Sequence, residues 1–366
     1  MKKIAIICVI LCTPLLINAQ TQIPTLDDLD HEIAMSSQYD KQYEDVIRSV
    51  KKQLHAAKTL KARCELSDKL FNLYTSYSVD SAIVYAMEKQ KIAKAMGNQS
   101  KVNDAKLNLA YLLIRGGELK DASDIINSIP RSGINQDLSF YYFSTRKTLY
   151  RTLADAALIP SQRKMYKQME KLCNDSVVDN NQSADIWSRA EQLVNRQQYE
   201  QAKKILLDAY HHLKPGDRQT AFVSISLADI YGRDKNVEAQ KQYLIAAAIS
   251  DIRNSVKEYL ALQQLAVILF EEGDTKRAYA YMDHAMNDAV FCNARQRTIA
   301  MADVWPAIEK SHERETKSRT LKLTAALVLI SLMSIFLLVM IVYTRRRVVE
   351  LHAIRARLSN TNELLK

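Results

Sequence analysis

The run LNLAYLLIRGGELKDA, residues 107–122, decides the fold. Up to Ile114 its apolar side chains recur at three- and four-residue steps, the period of a helix. Gly116-Gly117 interrupts the pattern, and a second helical run begins at Leu119. Ala110 and Ala122, twelve residues apart, fall where two antiparallel helices joined by a short turn would meet. Close helix approach needs small side chains at the crossing. The same pair returns at Ala190 and Ala202 in SRAEQLVNRQQYEQA (188–202), and at Ala266 and Ala278 in QQLAVILFEEGDTKRA (263–278). Gly117 and Gly273 hold equivalent turn positions, and Tyr199 stands just before a second helix, where an aromatic can plug the hairpin. Such a hairpin cannot bury its apolar face alone, so neighbours must stack into an array. The alternative is a non-repeating helical bundle in which the alanines recur by chance.

Degenerate copies align at Leu70/Ala82, Leu149/Ser161 and Ala228/Ala239, the last one residue short, so the anchors fall 38 to 41 residues apart. The spacing resembles the tetratricopeptide repeat, whose consensus is about 34 residues; longer helices or connectors are therefore expected. GGEL and EEGDT read as turns, and IPRSGIN and LKPGDR as connectors. Composition agrees. Only 7 Gly and 6 Pro occur in 366 residues, about a third of the usual share, too few for the tight turns of an all-β or α/β protein. The expected fold class is all-α: a tetratricopeptide-like helical-repeat solenoid, a single transmembrane helix and a short coiled-coil-like tail.

The formal net charge of +10 sits mostly at the two ends, which argues against a nucleic-acid surface on the large domain. Residues 1–19 read as a signal peptide: Lys2-Lys3, an apolar core from Ile4 to Ile17, and Ala19 before the cut. Residues 20–62 read as N-terminal amphipathic helices, 63–292 as the repeats and 293–322 as a charged linker helix that Pro306 kinks or starts afresh. Residues 323–344, LTAALVLISLMSIFLLVMIVYT, contain no charge. They would span about 33 Å as a helix, enough for a bilayer core. The signal peptide exports the repeats, and Arg345, Arg346 and Arg347 hold the C-terminus in the cytoplasm. In the basic tail, 345–366, Leu351, Ile354, Leu358, Thr361 and Leu365 make either a short a/d seam, able to pair two copies, or an amphipathic face against anionic lipid.

Chemistry is sparse. The glycines form no phosphate loop, and no H-E-x-x-H or G-x-S-x-G occurs. His211 and His212 are adjacent, so on a helix they diverge by about 100° and make a poor metal pair. Cys64, Cys173 and Cys292 read as small core residues, with a Cys64–Cys173 or Cys173–Cys292 bond as the alternative. The reading is a non-enzyme with no cofactor, binding a protein, a peptide or an oligosaccharide in a concave groove. The first helix of each pair would line it, with Tyr74, Asn108, Tyr111, Arg115, Arg146, Tyr150, Trp187, Asp229 and Gln263 near that face. Packing within and between repeats is the competing role for the aromatics.

Five stretches carry a wider resemblance: LDDLDHEIAMSSQYDKQYEDVIRSVKKQL (26–54), LFNLYTSYSVDSAIVYAMEKQ (70–90), AKLNLAYLLIRGGELKDA (105–122), the apolar span, and LSNTNELLK (358–366). Their order resembles the membrane-spanning tetratricopeptide regulators of Bacteroidetes, the group of the starch-utilisation regulator. The resemblance implies a periplasmic sensor in the inner membrane, joined to transcriptional control of nutrient uptake, with no ligand residues to carry over. Those regulators continue into a cytoplasmic domain, so the effector is expected outside these 366 residues. The competing function is a membrane-anchored scaffold that gathers envelope proteins.

Overall fold

The computed structural model describes residues 24–179, 186–214 and 216–364, and for 178–179, 187–188 and 358–364 the helix backbone only. The signal-peptide reading of 1–19, the side chains of Trp187, Leu358 and Thr361, and Leu365 fall outside what is described. Among the described residues every regular element is a helix, with no strand. They divide into two units, one ending at Val304 and one starting at Trp305.

The first unit opens with α1 (Leu26–Ala56). Thr25 starts it through a capping box: its hydroxyl accepts the Asp28 N–H, and the Asp28 carboxylate accepts the Thr25 N–H at 2.7 Å. Six hairpins follow: α2 (Leu60–Tyr74) with α3 (Val79–Ala95), α4 (Gln99–Gly116) with α5 (Leu119–Asn127), α6 (Gln136–Ala156) with α7 (Pro160–Asp179), α8 (Ile186–Asn195) with α9 (Tyr199–His212), α10 (Arg218–Arg233) with α11 (Val237–Arg253), and α12 (Ala261–Glu272) with α13 (Thr275–Cys292). A short α14 (Arg295–Ala302) ends the unit. Each hairpin packs on the next.

The crossing alanines Ala110, Ala122, Ala190, Ala202, Ala266 and Ala278 are all buried. Around Ala110 and Ala122 lie Leu107, Ile114, Ile126 and Leu149 in one cluster, and around Ala190 and Ala202 lie Leu206, Val223 and Leu227 in another. Burying each such side chain stabilises by about 1.5–3 kcal/mol. Four hairpins place a left-handed residue two positions before their second helix: Gly117, Gln197, Lys235 and Gly273. Glycine adopts that conformation freely, whereas glutamine and lysine do so at some cost. This explains why only two of the four turns announce themselves in the sequence. The degenerate copies differ where the alignment was weakest. Ala239 is half-buried and Ser161 is exposed. Ala157-Leu158-Ile159 is a looser link, and α7 buries Cys173, Asn174 and Val177, more than two turns further on.

The second unit is the helix α15 (Trp305–Leu364), the one described helix long and apolar enough to cross a membrane. Pro306 is its second residue, where proline begins a helix without loss. Within the apolar run, the hydroxyls of Thr324, Ser331 and Ser334 donate to carbonyls one turn back, at 2.8–2.9 Å. Each of these three hydroxyls therefore has an acceptor within its own helix, as a lipid environment requires. Arg345, Arg346 and Arg347 follow the run on the same helix, all exposed.

Candidate functional site

The repeat array does not stay open. Helix α1 packs against α2 and, across the unit, against α11, while α14 packs against α4. The two ends of the array therefore meet along a seam, and most of its bonds are polar.

Lys257, in the turn between α11 and α12, is the hub. Its side chain is 3% exposed. The ammonium donates to Asp40 of α1 at 2.6 Å and to Asp288 of α13 at 3.0 Å. Its backbone N–H donates to the Ser76 carbonyl, in the α2–α3 turn, at 2.7 Å. Burying an ammonium is costly, and two carboxylates offset that cost only when both are in place. His284 lies one turn from Asp288, with Nε2 3.5 Å from its carboxylate. Burial holds the imidazole below its usual pKa; Asp288 pulls it up, and the Lys257 charge pushes it down. Arg277 of α13 pairs with Asp27 and Asp30 of α1, and the Tyr281 hydroxyl donates to Asp30 at 2.7 Å. Arg253 of α11 reaches Glu32 at 2.5 Å, and Arg218 of α10 donates to the Ser76 hydroxyl at 3.0 Å. Beside α14, Asn293 donates to Asp80 of α3 at 2.9 Å, and Arg295 faces Glu118 at 3.7 Å.

A cavity of about 370 Å³ opens on this seam. Tyr43, Glu65, Asp68 and Asn72 line the α1–α2 side, and Arg218 and Asn254 the α10–α11 side. Its walls offer carboxylates, a guanidinium and amides, which suit a polar occupant.

The groove residues read from the sequence divide among several places. Tyr111 and Arg115 share one face of α4, with the guanidinium 5.5 Å from the ring centre. Arg115 also donates to the Thr75 carbonyl at 2.6 Å and pairs with Glu258, so it belongs to the seam. Arg146 sits between two tyrosines of α6, donating to Tyr142 at 2.6 Å and Tyr150 at 2.9 Å. Tyr74 is buried and stacks on Tyr85 beneath Lys51. Asn108 is buried. Asp229 reaches solvent, yet enclosure by its neighbours raises its carboxyl pKa, and its partner is Gln264, the residue after half-buried Gln263. None of these residues lines the seam cavity.

The hub itself left no local trace in the sequence. Lys257 and Asp40 are 217 residues apart, and a lysine followed by a glutamate is an ordinary surface pattern. Asp251 was missed because its burial is set by packing that the local sequence does not show. Burial and the nearby Glu258 carboxylate push its pKa up to about 7, against the pull of Arg218 and Arg297.

Cys64, Cys173 and Cys292 are free and buried, so neither alternative disulfide forms. Burial pushes the Cys292 thiol up to about 12, which leaves it without nucleophilic thiolate at neutral pH. Among the described residues, no group of three or more His, Cys, Asp or Glu side chains is placed to hold a metal ion.

No curated protein is similar enough to the chain to count as a match. A family model, the SusR N-terminal TPR domain, matches residues 33–303. The match begins within α1 and ends just past α14, so it takes in all six hairpins and the Lys257 hub, while the seam residues Asp27, Asp30 and Glu32 lie just before it. The tetratricopeptide fold is one that mediates protein interactions, and over nearly the whole of the first unit this chain belongs to the SusR N-terminal TPR domain family.

Proposed function

We propose that the helical-repeat unit is the sensing domain of a single-span inner-membrane regulator, held on the periplasmic side, and that its occupant binds at the seam. The observation that carries this reading is the cavity between the two ends of the array. An occupant touching Glu65 and Asn72 on one wall and Arg218 on the other changes how firmly the two ends close. Asn293 and Arg295, at the approach to α14, belong to the same seam, so closure bears on the segment leading toward α15. That is a two-state element of the kind a coupled response needs. The family match and the apolar α15 support the regulator reading. The arginine triplet supports a cytoplasmic C-terminus, and the polar walls support a peptide or an oligosaccharide as occupant. The regulated process is transcription of nutrient-utilisation genes, through an effector outside these residues.

Cysteine crosslinking tests the reading. The full chain with Leu351→Cys or Leu358→Cys, in bilayer nanodiscs, is titrated with a starch digest and then with other glycan hydrolysates and peptides. A sensor changes its crosslinking yield with one of them, and Arg218→Gln abolishes the change. A yield indifferent to all of them favours the static scaffold. So does full function in cells after α15 is replaced by an unrelated anchor.

A further inference from the structure

A second concave surface lies away from the seam, between the C-terminal part of α1 and the outer face of α3. It is a groove of about 790 Å³. Tyr85 lines it, held by stacking on Tyr74 at 5.6 Å between ring centres. Leu54 flanks it from α1, and Val84 and Met87 flank it from α3. Val84 is 60% exposed and Met87 56%, although the same helix buries Ala82, Ala86 and Ile92 on its other side. Leaving two large apolar side chains exposed beside a rigid tyrosine is unfavourable in water unless something covers them. Tyrosine, methionine and arginine are the residue types enriched at the centre of protein interfaces.

The rim has one sign. Lys51, Arg63 and Lys91 stand around the groove, and the one carboxylate there, Glu88, is already held by Arg63 at 2.9 Å. From these observations we infer that the α1–α3 groove docks an acidic amphipathic helix of a protein partner. Its apolar stripe covers Val84, Met87 and Leu54, and its carboxylates meet Lys51 and Lys91. Val84 to Lys91 is two turns of α3, about 10 Å, which matches a partner stripe of i, i+3, i+4 and i+7. Other occupants fit less well. The chain before Pro24 contains no acidic residue. A second copy would bring the same basic rim against this one. A bilayer surface is too flat to fill a groove. The inference is independent of the seam reading.

The test uses the full chain in nanodiscs of neutral lipid and a displayed library of helical peptides of about 14 residues. All members carry the apolar stripe, with either acidic or basic residues elsewhere. Acidic members should be enriched. Their affinity should fall about tenfold or more in Met87→Asp and in Lys91→Glu, and Lys91→Glu should gain affinity for basic members. Both residues are on the surface, so melting temperatures should stay near that of the parent and report intact folding. Four results would overturn the inference: preference for basic members, binding indifferent to Met87→Asp, no Met87-dependent member at all, or a dimer of the chain itself that Met87→Asp splits.

Discussion

Asp251 faces Glu258, Arg218 and Arg297, and its carboxyl titrates near 7 in the folded chain. Unfolded, it titrates near 3.9, so the folded state holds this proton more tightly. The stability it contributes is complete below about pH 4 and is lost as the pH rises through 7. Allowing for its partial exposure, the loss is on the order of 2 kcal/mol. Asp251→Asn should flatten the dependence of the urea midpoint on pH between 4 and 7.5; an unchanged slope would refute this assignment. At the crossing points, Ala266 has no accessible surface, and Ala266→Leu should cost about 1–3 kcal/mol by overpacking α12 against α13. Ala239→Leu, at the half-buried equivalent in α11, should stay within about 0.5 kcal/mol. Chemical denaturation of the two variants side by side distinguishes a true crossing alanine from a chance one. The strong alanine pairs were legible because their constraint is local to one hairpin. Asp251 was not, because its shift arises first from burial, which depends on the helices packed around it.

At the scale of the element, α1 behaves as a strap across the array, and its fastenings differ in strength. The Arg277 pairs with Asp27 and Asp30 are substantially exposed; Arg277→Ala should cost less than about 1 kcal/mol. The Lys257 pairs are buried. Lys257→Met strands Asp40 and Asp288, and about 3 kcal/mol or more should be lost. Hydrogen exchange should then rise along α1 and around Ser76, while α8 and α9 keep their protection. Uniform loss of protection across all helices would mean that the strap is not a separate unit. The sequence showed one or two long amphipathic helices here, from Leu29, Ile33, Tyr43, Val46, Ile47, Val50 and Leu54, and the structure makes them the single helix α1. Which helix receives that face was hidden, because an apolar period reports burial and not the partner.

Across the molecule, the family match and the long apolar helix make this a helical-repeat chain with one candidate membrane span among the described residues. Protease added to intact spheroplasts that make the chain should cleave within residues 24–304 and spare a fragment containing α15. Survival of the repeats until the cells are lysed would place them inside instead. The all-α class, the hairpin period and the apolar span were determined by the sequence alone, since each depends on residues within about 40 positions of one another: a helical period, a turn, a pair of alanines, a run without charge. The groove read from repeat positions scattered into separate pairs, because a consensus shows which side of a helix turns inward but not how tightly the array curls. Only the tertiary structure decided that the ends meet, that Lys257 joins α1, α13 and the Ser76 turn, and that a polar cavity lies between them. Apart from the Lys257–Asp288 pair, those bonds connect residues some 200 positions apart, and their energy exists only once the intervening helices have set the curvature that brings them together.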